Sequence, residues 1–298
     1  MARRFVEFQK QFCSHFISQG RNSVHHARHY LTGLLGTERR KNIEAIEGDV
    51  AGSDYQGMEQ FISSSPWDHR GLMADVAREA DAAIGDPVDA ALTIDETSFL
   101  KKGKCSVGVA RQYSGRAGKV DNCQVGVFAC LGRGGDVALV DFELYLPEEW
   151  TKDRARLDRA KVPEGERKYR AKWELALEMT RRARRQGVRF GWVGADSLYG
   201  HNNLFTNALE DDGERFLVDV RKDFKVWTEE PEIAVPPRRP GSRGAGPTVP
   251  RLVDPGQKGR AHVRVDELAG RHFDAACREI AYRQGTKGEL CGLFWSME

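Results

Sequence analysis

Two short apolar segments of this chain each end on an aspartate, and this arrangement constrains the fold more than any other feature. The segment ALTID ends at Asp95, and FGWVGAD ends at Asp196, 101 residues further along. A carboxylate at the end of a core strand is costly unless a partner pairs with it. If both strands are neighbours in one sheet, the two carboxylates emerge at the same edge, where oxygen ligands suit Mg²⁺. The alternative is that both aspartates begin turns or cap helices.

The hydrophobic periodicity divides the chain into three predicted regions. Residues 1–86 are predicted to be helical, with Asp68 as a candidate N-cap. Residues 87–228 predict four strands, a helix, a strand, a helix (LYGHNNLFTNALEDDG) and a final strand, RFLVDV. This order predicts an α/β fold in which an antiparallel meander leads into parallel crossovers. The first helix is predicted to extend through four phenylalanines at helical spacing: Phe5, Phe8, Phe12 and Phe16.

Residues 229–298 differ in composition from the rest of the chain. Residues 229–260 contain seven of the eleven prolines and several arginines. Proline removes backbone donors and glycine costs conformational entropy, so this stretch is predicted to be a mobile, basic loop or linker. Ordered structure is expected to resume at HVRVDEL and CREIAYRQG.

Bulk composition excludes several classes of protein. The net charge is only +2, so total charge does not indicate a nucleic-acid binder, and only local clustering of basic residues could. The six cysteines form no C-x-x-C pair, which favours reduced thiols in a cytoplasmic protein. No stretch approaches the roughly 20 apolar residues of a membrane span, so no membrane association is expected.

Several separate motifs resemble one family. The stretch IDETSFLKKGKCSVGVARQYSGRAGKVDNCQVGVF is similar to the core of the IS701-type transposases, within the IS4-like group of DDE enzymes. LYLPEEWTKDRAR and ADSLYG follow in the expected order, and YLTGLLGTERRKNIEAI and FISSSPWD resemble the family's N-terminal region. The resemblance covers roughly residues 25–290. It implies an RNase H-like catalytic core, preceded by a helical region that binds DNA ends or dimerises.

The resemblance also implies a site. Asp95 and Asp196 correspond to the first two catalytic acids, which hold Mg²⁺ or Mn²⁺. The family usually has Asp next to the first acid, where this chain has Glu96. Because side chains alternate along a strand, Glu96 is expected to point away from Asp95. The third acid of such enzymes lies on a helix beyond an inserted region. No matching segment precedes Glu298, so a C-terminal truncation is predicted.

Basic and aromatic residues flank the two acids in sequence. The basic residues either bind DNA phosphates or belong to an ordinary solvated hairpin. Trp192 and Tyr199 flank the second acid, and Tyr199 either orients a phosphate or a ligand water, or is a packing aromatic. The candidate DNA-binding residues are Lys101, Lys102, Lys104, Arg111 and Lys119.

Two functional hypotheses follow from the resemblance. The first is a DNA transposase that cuts element ends and joins them to target DNA, and that forms a homodimer when full length. The second is a catalytically inactive, truncated transposase that binds DNA or interferes with the full-length enzyme. Because the third acid is missing from the sequence, this particular chain is expected to have little or no activity.

Overall fold

The computed structural model describes residues 2–18, 20–36, 41–229, 232–238, 240–241, 246–252, 262–276, 278–285 and 288–294. The chain forms two compact units, Met1–Val218 and Asp219–Glu298, and each is described by itself. The functional division into residues 1–86, 87–228 and 229–298 stays a prediction.

The N-terminal part of the first unit is helical, as predicted. Asp68 caps its last helix, because its Oδ1 accepts a hydrogen bond from the Gly71 N–H at 2.9 Å. In chain order the elements are α1 (Ala2–Lys10), a 3₁₀ turn (Cys13–Phe16), β1 (Ile17–Ser18), β2 (Arg21–Asn22), α2 (Val24–Gly36), α3 (Ile43–Asp49), α4 (Tyr55–Ser64) and α5 (His69–Ile84).

The first helix is shorter than its phenylalanine spacing predicts. It ends at Lys10, and the chain tightens into the 3₁₀ turn that ends at Phe16. There the ring of Phe16 packs edge-on against Phe61, with centroids 5.7 Å apart, and lies 5.8 Å from Trp67. Tertiary packing of these rings therefore overrides the local periodicity.

A buried amide lies in this helical region without a partner. Gln9 is 7% exposed, and among the described residues neither its Oε1 nor its Nε2 has a hydrogen-bond partner. It lines an apolar cavity of about 450 Å³ together with Phe12, Phe16 and Trp67. Burying an amide without hydrogen bonds costs free energy, so an apolar side chain of similar size is expected to be more favourable at this position.

Replacing Gln9 by an apolar residue should therefore stabilise the fold. We expect Gln9→Leu to raise the free energy of unfolding by about 1 kcal/mol or more, since an unsatisfied buried group costs about 1–3 kcal/mol. Gln124→Leu is the matched control, because the Gln124 Nε2 donates to the Val107 carbonyl at 2.6 Å. It should lower the stability. Urea unfolding of both variants measures the difference, and a stability loss in Gln9→Leu would contradict the interpretation.

A six-stranded mixed sheet follows the helical region. The strands are β3 (Ala91–Leu100), β4 (Ala110–Ser114), β5 (Lys119–Arg133), β6 (Asp136–Leu144), β7 (Trp192–Ala195) and β8 (Phe216–Val218). Their order in the sheet is β6–β5–β3–β7–β8, and β4 pairs with the first part of β5. The β5–β3 and β5–β6 pairs are antiparallel, whereas β3, β7 and β8 are parallel.

Helices connect the later strands. The segment predicted as one helix after Asp196 is two helices, because the Asn202 side chain accepts from the Leu204 N–H and starts a new one. The helices are α6 (Glu148–Thr151), α7 (Arg154–Arg159), α8 (Lys172–Arg185), α9 (Ser197–Gly200) and α10 (Asn203–Asp211), with a 3₁₀ turn at Glu164–Glu166. The predicted α/β class, with a helical region before a mixed sheet, is confirmed, and it agrees with an RNase H-like core.

The two faces of the sheet differ in their burial. On β3, Leu92 and Ile94 are buried, whereas Thr93, Asp95 and Thr97 are exposed. We call the face that carries Leu92 and Ile94 the covered face and the face that carries Asp95 the open face. The main core lies between the covered face and α5, α8 and α10; it includes Ala77, Leu92, Ile94, Val127, Leu131, Leu175, Met179, Val193 and Phe205.

A buried ionic network fixes two helices to β6. Asp141 and Glu143 are 6% and 3% exposed. Arg182 of α8 donates to Asp141 Oδ2 at 2.7 Å and to Glu143 Oε1 at 2.6 Å. Arg70 of α5 donates to Glu143 Oε2 at 3.0 Å. Burial alone would raise the pKa of Glu143, but the hydrogen bonds and charges of Arg70 and Arg182 bring it below its ordinary value.

Two adjacent arginines of α8 allow a matched test of this network. Arg182→Met leaves two buried carboxylates without their shared cation, and we expect it to cost about 3–5 kcal/mol of unfolding free energy. Arg181→Met removes a surface pair with Asp212 and should cost no more than about 1 kcal/mol. Urea unfolding at neutral pH measures both. Equal losses would show that the network contributes no more than a surface pair.

The second unit consists of short elements. β9 (Lys225–Val226) pairs with β12 (Val263–Arg264), and β10 (Ile233–Ala234) pairs with β11 (Arg251–Leu252). Helix α11 (Val265–Ala276) is followed by the hairpin of β13 (Arg278–Gly285) and β14 (Gly288–Phe294). The segment HVRVDEL carries β12 and the start of α11, as predicted. The stretch 229–260 was predicted to be a loop or linker, but it contains the short strand pair β10–β11. Residues 230–231, 239, 242–245 and 253–260, and Glu298, lie outside the described residues.

Candidate functional site

The register of two parallel strands brings the two acids together. β3 pairs with β7 from Ala91↔Trp192 to Ile94↔Ala195, a constant offset of 101 residues. The next position on each strand is Asp95 and Asp196, which are separated by the same offset. Residues at equivalent positions of parallel strands point to the same face. Both carboxylates therefore lie on the open face. Asp196 directly follows the end of β7, whereas Asp95 lies in the middle of β3, which continues to Leu100, so the prediction that the strand ends at Asp95 is wrong.

The electrostatics agree with this proximity. The pKa of Asp95 is raised above its ordinary value, mainly by burial. The hydrogen bond from the Glu96 N–H opposes the rise, and the charges of Asp196 and Glu96 add to it. Like charges disfavour each other's ionisation. A cation between the carboxylates would relieve this repulsion.

Local backbone contacts orient each carboxylate. Asp95 Oδ1 accepts from the Glu96 N–H at 2.7 Å, and Asp196 Oδ1 accepts from the Leu198 N–H at 2.9 Å. Asp196 is thus the N-cap of the short helix α9. Within the described part of the chain, Oδ2 of each residue has no hydrogen-bond partner. Each aspartate therefore keeps one oxygen available on the open face, so helix capping by Asp196 does not preclude a ligand role.

Aromatic rings border the carboxylates on the open face. Phe128 of β5 lies directly opposite Asp95 in the β3–β5 register. Its ring is 6.3 Å from those of Phe99 and Phe142, so an aromatic row crosses three strands. Trp192, at the start of β7, is 41% exposed. On the open face Asp95 thus lies between an aromatic row on the β5 side and the polar residues Thr93 and Thr97 of its own strand.

Glu96 points to the covered face, as its strand position predicts. Its Oε1 accepts from Lys172 Nζ at 3.0 Å, and its Oε2 accepts from the Tyr199 hydroxyl at 2.9 Å. Tyr199 is fully buried and packs against Phe205 at 5.8 Å between ring centroids. Tyr199 was expected either to orient a phosphate or a ligand water or to be a packing aromatic. Its position is that of a packing aromatic, and its hydroxyl also donates to Glu96. Nothing in the sequence around Lys172 indicated that Lys172 pairs with Glu96.

The predicted DNA-binding residues lie away from the acids. All five are exposed, and Lys119 pairs with Asp121 at 3.2 Å. β3 continues beyond Asp95 to Leu100, so Lys101 lies about 20 Å from Asp95 along the extended strand. The residues are Lys101, Lys102 and Lys104 in the loop after β3, Arg111 on β4, and Lys119 at the start of β5.

The loop that carries three of these lysines has a fixed backbone. Asn122 Nδ2 donates to the carbonyls of Lys101 and Gly103 at 2.7 and 2.9 Å. Arg156 donates to the carbonyl of Lys104 at 3.1 Å. The ammonium groups of Lys101, Lys102 and Lys104 therefore extend into solvent from a loop whose backbone is held by hydrogen bonds.

Among the described residues, no group of three or more His, Cys, Asp or Glu side chains is arranged to hold a metal ion. The same part of the chain has no helix that is both long and apolar enough to cross a membrane. Two carboxylates, an apolar border and a separate basic loop are thus the components of the candidate site in the described structure.

Comparisons with known proteins identify the family. The profile of the DDE superfamily endonuclease domain matches residues 11–289. The probable transposase for insertion sequence element IS701 from Microchaete diplosiphon is 30% identical over 226 residues, which cover 74% of this chain and 56% of that protein. The chain thus spans little more than half the length of this curated relative. The solved Drosophila P element transposase strand transfer complex matches at 14% identity and a TM-score of 0.24, covering 73% of this chain and 47% of that one. The chain belongs to the DDE superfamily of endonucleases, as its resemblance to the IS701-type transposases predicted.

Proposed function

We propose that this chain comes from an insertion-sequence DNA transposase in which Asp95 and Asp196 hold Mg²⁺ or Mn²⁺ and catalyse strand cleavage and transfer. One contrast carries the proposal. Three acids on the covered face have helix cations within 3.0 Å: Glu96 has Lys172, and Asp141 and Glu143 have Arg182. Asp95 and Asp196, by contrast, have no salt bridge among the described residues.

The donor set fits a hard divalent cation. Mg²⁺ is usually held by one or two carboxylates, and its remaining positions are filled by water and substrate phosphate. Both aspartates are exposed, and only their Oδ1 atoms accept hydrogen bonds from described residues. A bound ion would stabilise charge on the attacking and leaving oxygens of a phosphoryl transfer.

The residues of this chain would position the DNA. The two carboxylates are fixed by Glu96 N–H and Leu198 N–H, so they need little reorganisation when the reacting phosphate arrives. Lys101, Lys102 and Lys104 lie beyond the end of β3, about 20 Å from Asp95. They would therefore bind DNA phosphates several nucleotides away from the reacting bond. We also propose DNA element ends and target DNA as partners, and a homodimer as the full-length form.

Conservative substitution of the acids tests the metal site. We expect Asp95→Asn and Asp196→Asn each to abolish Mn²⁺ binding, measured by titration calorimetry, because one of two charged ligands is lost. Any Mg²⁺- or Mn²⁺-dependent nicking of supercoiled plasmid should be lost as well. Asp136→Asn is the control, since it removes an exposed carboxylate from the far end of β6. Undiminished Mn²⁺ binding in both site variants would refute the proposal.

A catalytically inactive DNA-binding protein is the second candidate. The observation that favours it is the absence, among the described residues, of a third carboxylate beside Asp95 and Asp196. On this hypothesis the chain binds DNA and the full-length enzyme but does not cleave. Mn²⁺ binding and DNA binding without any nicking would support it over the first candidate.

The lysine loop has its own test. We expect replacement of Lys101, Lys102 and Lys104 by Gln to weaken binding to any duplex sequence. Each lost phosphate contact should reduce the slope of log K against log salt concentration by about 1. Lys152→Gln is the control, because Lys152 lies on a helix end and pairs with Glu148. Fluorescence anisotropy at several salt concentrations gives the slope, and an unchanged slope in the triple variant would exclude phosphate contact.

A further inference from the structure

Glu96 connects three elements beneath the candidate site. It is the residue after Asp95 on β3, and it accepts hydrogen bonds from Lys172, at the start of α8, and Tyr199, on α9. Its side chain and that of Lys172 are 23% and 24% exposed, and Tyr199 is fully buried. The carboxylate therefore has a charged donor and a neutral donor in a largely desolvated setting, where hydrogen bonds to a charged group are strong.

The Tyr199 contact spans the gap between the two acid-bearing segments. Tyr199 lies three residues after Asp196, and its own N–H donates to the Asp196 carbonyl at 3.1 Å. Its hydroxyl then reaches across to the residue after Asp95. A short path of contacts therefore leads from Asp95 to the neighbouring Glu96, across the hydrogen bond to Tyr199, and along α9 to Asp196. One side-chain hydrogen bond thus connects the two segments that carry the acids.

Backbone pairing aligns the two strands but does not extend as far as the acids themselves. The parallel β3–β7 ladder ends at Ile94↔Ala195, one position before the two aspartates. Beyond that point β3 continues as a strand, whereas the other chain turns into α9. The described side-chain contact that joins the two segments beyond the ladder is the Glu96–Tyr199 hydrogen bond.

We propose that Glu96 is a positioning residue that, through Tyr199 and Lys172, sets the separation and orientation of Asp95 and Asp196 from the opposite face of the sheet. This inference rests on the proposed function, in which the two aspartates hold a divalent ion. Residues behind metal ligands that fix the ligands' orientation typically change metal affinity by 10–100-fold when mutated.

Tyr199→Phe is the most selective test. It removes the hydroxyl contact but keeps the ring, its packing and every charge near the site. We expect the variant to bind Mn²⁺ about 10-fold or more weakly than wild type in titration calorimetry. Glu96→Gln should weaken binding too, although it also removes a negative charge beside Asp95.

Thr180→Val is the matched control. Its hydroxyl is buried on α8 and donates to the Ala176 carbonyl at 3.0 Å, so the variant also loses one buried hydrogen bond. Thr180 lies eight residues along α8 from Lys172, about 12 Å away. We expect its Mn²⁺ affinity to equal that of wild type, even if its melting temperature falls as much as that of Tyr199→Phe.

Hydrogen exchange tests the positioning without metal. The amides of Leu198, Tyr199 and Gly200 all donate to Asp196, so their exchange rates report how firmly Asp196 is held. In the metal-free protein, Tyr199→Phe should accelerate exchange across residues 197–200, whereas Thr180→Val should leave these rates unchanged.

The outcomes separate this inference from the proposed function. If Asp95→Asn abolishes Mn²⁺ binding and Tyr199→Phe binds Mn²⁺ as tightly as wild type, the positioning role is wrong and the metal site stands. If Asp95→Asn and Asp196→Asn both bind like wild type, the metal site is wrong. The exchange rates then decide whether Glu96 and Tyr199 hold the segment at all, and unchanged rates would overturn that as well.

Discussion

The parallel pairing of β3 with β7 is the constraint on which the rest of the site depends. Four ladder positions place two aspartates from distant parts of the chain side by side. The register is strongly specified, because Leu92, Ile94 and Val193 are buried on the covered face. A slip of one residue would turn Asp196 into the core and expose an apolar side chain. Burial on one face of the sheet thus determines which carboxylates meet on the other.

The carboxylates on the two faces of the sheet differ in their ion pairing. On the covered face three acids are paired with cations from helices: Glu143 with Arg70 and Arg182, Asp141 with Arg182, and Glu96 with Lys172. These contacts fix α5 and α8 against the sheet, and they neutralise charges that could not otherwise be buried. Asp95 and Asp196 on the open face have no salt bridge among the described residues, which is unfavourable for folding alone and is the feature on which the proposed metal site rests.

Sequence reasoning succeeded where local pattern determines structure. The Asp68 cap, the mixed sheet and the opposite orientations of Asp95 and Glu96 follow from capping chemistry and strand alternation. Sequence reasoning was weaker where contacts between distant parts of the chain determine the structure. The end of α1 depends on rings of Phe61 and Trp67, and the contacts of Arg182 lie about 40 residues away in the chain. No local pattern predicts the hydrogen bond between Glu96 and Tyr199, since it joins residues 103 positions apart.

The aromatic row on the open face places the aspartates at a boundary between water and an apolar surface. Water solvates their charges from outside, whereas the rings of Phe128 and its neighbours on the sheet carry no permanent dipole that can reorient around a charge. Charges at such a boundary interact through an effective dielectric well below that of bulk water, so both their repulsion and their attraction for a cation are amplified. Any large molecule that settles on this face would displace the remaining water and strengthen the field further. On the proposed function, the pair of carboxylates would then bind its cation most tightly when DNA is already in place.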